Sequence, residues 1–87
     1  MSKFNLEFSQ QAREEYVAWQ SEDKKTLKRI NKLIDAILRD PFEGTGKPEP
    51  LKFNLSGVWS RRIDDTHRLV YIVMVDKIQI VQVKYHY

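Results

Sequence analysis

The stretch from Gly44 to Arg68, GTGKPEPLKFNLSGVWSRRIDDTHR, holds most of what could do chemistry in this chain. One carboxylate, Glu49, is fixed between Pro48 and Pro50. Five cations share the stretch with it: Lys47, Lys52, Arg61, Arg62 and Arg68, with Trp59 among them. The last four residues, Lys84-Tyr85-His86-Tyr87, add an imidazole and two phenols. A carboxylate, a histidine and several arginines suit the cleavage of RNA by transesterification. A base takes the proton from a ribose 2′-OH, whose oxygen attacks the adjacent phosphorus. An acid protonates the departing 5′-oxygen, and cations stabilise the phosphorane between these steps. No cluster of residues has the spacing of a metal site, so neither a metal nor another cofactor is expected.

Each of these residues also has a plainer reading. Arg68 opens the most apolar run of the chain, so it lies at the open end of a sheet or pairs with an anion. It either pairs with Asp64, Asp65 or Glu49 and locks the fold, or grips a phosphate with its planar fork. Glu49 is a solvated loop residue or a general base held still among cations. His67 and His86 are the two side chains whose ordinary titration falls near neutrality. His67 is expected to pack on Trp59 or to cap the adjacent turn. His86, flanked by tyrosines, suits proton donation or base stacking. Strand alternation puts His86 and Tyr87 on opposite faces, so both line one cleft only if the terminus bends. The Gly44-Thr45-Gly46-Lys47 run lacks P-loop spacing, and Pro48 stands where a Ser or Thr is needed.

The elements that must position these groups follow from periodicity. Phe4, Leu6 and Phe8 alternate with polar residues, predicting a strand over 3–8 with one buried face. Ser9 offers an N-cap to a helix that runs to about Gln20, with Ala12, Tyr16 and Trp19 on its apolar stripe and Glu14 and Glu15 facing water. A second helix is predicted from about Asp23 to Arg39. Leu27, Ile30, Ile34 and Ile37 form its stripe, widened by Leu33 and Leu38, while Lys25, Lys28 and Lys32 line the opposite side. Pro41 stops it. The short connection makes the two helices an antiparallel pair.

Residues 41–50 contain all three prolines and two of the three glycines, the composition of a loop. Four strands are predicted after it: Leu51 to Leu55, Val58 to Ile63, His67 to Val75 and Ile78 to Tyr85. The third is apolar on both alternations, which places it in the middle of the sheet. The tight turns imply hairpins. The expected fold class is α+β, in the order β-α-α-β-β-β-β: two N-terminal antiparallel helices packed on a small, mainly antiparallel sheet.

At 87 residues the chain reads as a single domain. It has no cysteine, which excludes disulfides and thiolate chemistry and fits a reducing compartment. No signal-peptide pattern and no apolar run of about 18 residues is seen, so the expected location is the cytoplasm, away from membranes. The formal net charge is +3. Residues 1–43 balance eight Lys/Arg against eight Asp/Glu, whereas residues 44–87 hold seven against four. The basic excess therefore lies in the half that carries the candidate chemistry, and it suits either RNA or an acidic protein partner.

The segments PFEGTGKPEPLKFNLSGVWSRRI, HRLVY and KYHY closely resemble the YoeB toxins of the RelE superfamily, and YVAWQSEDKKTLKRINKLI looks like the helical segment of that family. The resemblance covers nearly the whole chain. It implies a ribonuclease that enters the ribosomal A site and cuts the mRNA there, on a fold akin to microbial ribonucleases. It makes Glu49 the general base, His86 the general acid, Arg68 the residue that stabilises the phosphate and Tyr87 the terminal tyrosine of the site. Lys47 and Lys52 fall among the family's basic RNA contacts, with Arg62 in the same matched block. The partners it implies are the 70S ribosome with its mRNA and a YefM-like antitoxin whose acidic segment wraps the toxin. Operator DNA is bound only together with the antitoxin, and some members form homodimers. The residues by themselves leave two other classes open: a non-catalytic RNA- or ribosome-binding module, and a domain whose basic groove only holds an acidic partner.

Overall fold

The computed structural model describes residues 4–51 and 57–85. Its elements are β1 (Asn5–Phe8), α1 (Gln10–Glu22), α2 (Lys24–Arg39), β2 (Glu49–Pro50), β3 (Val58–Arg62), β4 (Arg68–Val73) and β5 (Lys77–Gln82). The expected strand over Leu51 to Leu55 lies mostly outside the described residues. Just before it, Glu49–Pro50, expected as the end of the proline loop, pairs with β3 as β2.

Local chemistry explains the helices. Ser9 caps α1, its Oγ accepting from the Ala12 N–H at 3.0 Å and donating to the Val81 carbonyl at 2.9 Å. The cap thus also ties the start of α1 to β5. Asp23 is the single residue between the helices. Its N–H donates to the Trp19 carbonyl and closes α1. Its carboxylate accepts from the Lys25 and Thr26 N–H groups and from the Thr26 hydroxyl, opening α2. Tyr16 Oη donates to Asn31 Oδ1 at 2.6 Å. Those two residues stand almost equally far from Asp23, as an antiparallel pair requires.

The backbone N–H of Thr26, and then its hydroxyl, hold the Asp23 carboxyl below its ordinary value of 3.8. A carboxyl depressed on folding stabilises the fold above its unfolded pKa and loses that contribution as pH falls through the folded value. Asp23→Ala should therefore lower the thermal midpoint, whereas Asp23→Asn, itself a good cap, should retain most of it. In circular-dichroism melts, the margin of wild type over Asp23→Asn should begin to shrink as pH falls below 3.8 and vanish only once pH is below the lower, folded value. A margin that ignores pH would rule the charge out as its source.

The apolar stripe of α2 is buried at Ile30, Leu33, Ile34 and Ile37, with Leu27 and Leu38 partly buried beside it. Lys25, Lys28 and Lys32 are exposed, as the periodicity requires. The stripe packs with Ala12 and Trp19 of α1 against Leu69, Tyr71, Ile78 and Ile80 of the sheet. Strand order is β1-β5-β4-β3-β2, so the doubly apolar β4 is central. Every pairing is antiparallel except that of β1 with β5, which is parallel.

Register divides the sheet into two faces. Trp59 and Arg61 of β3 lie opposite Tyr71 and Leu69 on the helix side, while Ser60 and Arg62 lie opposite Val70 and Arg68 on the other face. Between β4 and β5 the register shifts: Tyr71 pairs with Ile80 but Val70 pairs with Gln82, leaving Val81 as an extra residue. That bulge changes the side-chain phase of β5. Ile78 and Ile80 face the core, and Gln82 turns to the face of Val70.

Two expectations are corrected. Leu6, placed on the buried face of β1, is 40% exposed and borders a groove with Tyr16 and Val17 of α1 and Ile34 of α2. Glu15, placed in water, is half-buried, and its carboxylate accepts the N–H of Val83 at 2.8 Å.

Candidate active site

Glu49 lies opposite Ser60 in the β2–β3 register, and so shares the open face with Ser60, Arg62, Arg68, Val70 and Gln82. The pairing of Arg62 N–H with the Gly46 carbonyl at 2.7 Å holds the proline loop against the end of β3. Gly46 permits that approach. Its φ is +90°, and a Cβ there would lie 2.7 Å from Leu33 Cδ2. Lys47 follows with φ +53° and an exposed side chain.

Arg68 is the centre of the site. Its Nη2 pairs with Glu49 Oε1 at 2.5 Å, and its Nε and Nη2 donate to Ser60 Oγ at 3.2 and 2.9 Å. Ser60 is fully buried. It fixes the guanidinium from below while Glu49 meets it from the loop. The arginine side chain is 17% exposed and the glutamate 58%, so the carboxylate stands at the solvent edge of a mostly covered cation. Arg62, on the same face, pairs with Asp65 at 2.9 Å and is largely exposed.

Arg61 departs from this group. It is fully buried on the helix side. Its Nε donates to Tyr71 Oη, its Nη1 to the Thr45 carbonyl, and its Nη2 to the carbonyls of Asp40 and Glu43. Tyr71 Oη in turn donates to the Pro41 carbonyl. Burial pushes the Tyr71 phenol above its usual range, partly offset by the Arg61 bond. Arg61 is thus the post on which the loop before Glu49 hangs.

The end of the chain is held beside Arg68. Trp19 Nε1 donates to the Val83 carbonyl and Glu15 takes the Val83 N–H. Lys84 Nζ reaches both carboxylate oxygens of Glu22 at 3.0 Å, which raises its pKa above the ordinary lysine value. Tyr85 bends the chain at φ +63°. Its carbonyl accepts from the Arg68 N–H at 3.2 Å and from Gln82 Nε2 at 3.1 Å. His67 packs edge-on against Trp19, with centroids 4.9 Å apart, and not on Trp59, which meets Phe42.

Of the site residues expected from sequence, Glu49, Arg68 and Arg62 share one face and Lys47 stands on the adjoining loop. Lys52, His86 and Tyr87 lie outside the described residues. Sequence reasoning missed Ser60, Gln82, Glu15 and the Lys84–Glu22 pair. Ser60 carried a signal, since it is two residues from Arg62 in one strand. The others carried none, because their partners are distant in sequence.

A mixed sheet with a helical pair on one face and a carboxylate–guanidinium pair on the other defines a small α+β protein of the RelE-like kind. Residues 8–87 match the family model of the YoeB-like toxin of bacterial type II toxin-antitoxin systems. The chain belongs to this family. It is 60% identical to the toxin YoeB of Streptomyces coelicolor over 82 residues, covering 94% of this chain and 98% of that one. Among solved structures, the YoeB dimer from Staphylococcus aureus superposes with a TM-score of 0.90 at 50% identity, covering 99% of this chain and 100% of that one. The YoeB of the heterotetrameric YoeB–YefM complex from the same organism gives 0.86 at 50% identity and the same coverage.

Proposed function

We propose that this toxin is a cytoplasmic, ribosome-dependent endoribonuclease that cuts mRNA in the A site by metal-independent transesterification and so inhibits translation. The observation that supports it best is the Glu49–Arg68 pair, seated on buried Ser60 on the sheet face away from the helices. Glu49 takes the proton of the 2′-OH, and the 2′-oxygen bonds to phosphorus. The bond from phosphorus to the 5′-oxygen breaks, and His86 supplies the proton that this oxygen needs, leaving a 2′,3′-cyclic phosphate. Arg68 stabilises the charge of the phosphorane, and Tyr87 completes the site at the terminus. Lys47, Lys52 and Arg62 hold the RNA backbone. In the free protein the base and the cation satisfy each other. An incoming phosphate takes over the guanidinium, and the carboxylate is released to act as base.

Primer extension on a defined mRNA, alone and on translating ribosomes, tests this reading. A cut within the A-site codon that His86→Ala abolishes, with its fold intact, is expected. Equal cutting of free RNA would remove the ribosomal part, and no cutting by folded protein would leave a binding module. Ribosome binding should also weaken steeply with salt, by about one power of the salt concentration for each phosphate contacted. A flat salt response would sink a phosphate-dominated interface.

The YoeB–YefM complex of the Staphylococcus aureus relative supports a YefM-like antitoxin as the partner. Operator DNA is expected to be bound only together with that antitoxin. The dimer of that relative supports a homodimer of the free toxin.

A further inference from the structure

We propose that His67 is a positioning residue that sets the place of the C-terminal end relative to Arg68. The proposal rests on the reading of His86 and Tyr87 as members of the site. Tyr85 N–H donates to His67 Nδ1 at 2.7 Å. The Tyr85 carbonyl is taken by the N–H of the very next residue, Arg68, and by Gln82 Nε2. Residues 67 and 68 therefore grip both polar backbone atoms of the last residue before His86.

That grip has a conformational reason. Tyr85 has a left-handed backbone at φ +63°, a strained conformation for a tyrosine that persists only where its surroundings over-determine it. The histidine itself cannot drift. Its N–H donates to the Asp64 carboxylate at 2.7 Å, and its carbonyl accepts from the N–H groups of Ile63 and Asp64. Its ring sits against those of Trp19, nearly perpendicular to it, and Tyr85, tilted by 53°, with centroids 4.9 and 5.4 Å away. Nδ1 accepts the Tyr85 N–H in the tautomer that carries its proton on Nε2. The imidazole thus acts through a lone pair on the backbone, and transfers no proton to substrate.

An asparagine supplies an acceptor oxygen near the place of Nδ1, and a leucine fills the same space without one. Three measurements test the proposal on the full chain. In the wild type, labelled with nitrogen-15, a coupling through the hydrogen bond should join His67 Nδ1 to Tyr85 N. Its absence would overturn the proposal without any variant. In hydrogen exchange, the Tyr85 amide should lose its protection in His67→Leu and keep it in His67→Asn. On programmed ribosomes, His67→Leu should lower kcat by about 10²-fold with KM unchanged, as misplacement of a reacting group by about an ångström does, and His67→Asn should restore most of it. If both variants lose kcat alike while the Tyr85 amide stays protected, His67 acts directly and the positioning role is wrong. If the wild type cleaves nothing, the proposed nuclease fails, and the coupling and exchange results still decide whether His67 holds the terminus.

Discussion

Glu49→Gln is expected to slow cleavage of ribosome-bound mRNA by about 10²–10⁴-fold, the usual contribution of a positioned general base. The amide keeps the shape of the side chain and can still accept from Arg68, but it cannot take a proton from a ribose hydroxyl. Because the carboxylate is 58% exposed, its loss should barely move the thermal midpoint, so activity and stability separate cleanly. Arg68→Lys is the companion variant. One ammonium cannot keep the two contacts to Ser60 Oγ and meet a phosphate in the planar geometry of a guanidinium. It should lose about 10²-fold in single-turnover rate, the order seen when one charge-stabilising donor is removed. Wild-type rates in Glu49→Gln would end the case for this carboxylate as the base.

Arg61→Met should be the most destabilising of these changes, by about 3–5 kcal/mol. The side chain is fully buried and makes four hydrogen bonds, three of them to carbonyls of the loop between α2 and β2. Methionine fills part of the volume but leaves the carbonyls of Asp40, Glu43 and Thr45 without this donor. Against a total stability of roughly 5–15 kcal/mol for a domain, that is a large share. Urea melts should show a much lower midpoint, and a loss below about 1 kcal/mol would mean the loop finds other donors. Activity should fall too under conditions where the variant is still folded. The loop carries Lys47 and ends at Glu49, so loosening its anchor moves the base away from Arg68.

The two arginines show how far one-dimensional reading reaches. Alternation along β3 separates Arg61 from Arg62. Nothing in the alternation tells which face the helices cover, and hence which arginine is structural. The same limit explains His67: the expected contact is Trp59, near it in sequence, and the packing of α1 over the end of β5 brings Trp19 to it instead.

By itself the sequence determined the two helices, the strands other than β2, and the central place of β4. Ser9, Asp23 and Pro41 mark the helix ends by hydrogen-bonding and ring chemistry that acts over three or four residues. The 3-4 spacing of α2 and the doubled alternation of β4 are equally local. The motif series from Gly44 to Arg68 also sufficed to point to the toxin family. The tertiary structure alone decided the parallel docking of β1 on β5, the bulge that turns Gln82 to the open face, and the fastening of Val83 by Glu15 and Trp19 across more than 60 residues. Periodicity records which face of an element is apolar. It carries no information about which distant element meets that face, or at what register, and those two facts bring Glu49, Arg68 and Tyr85 to neighbouring places.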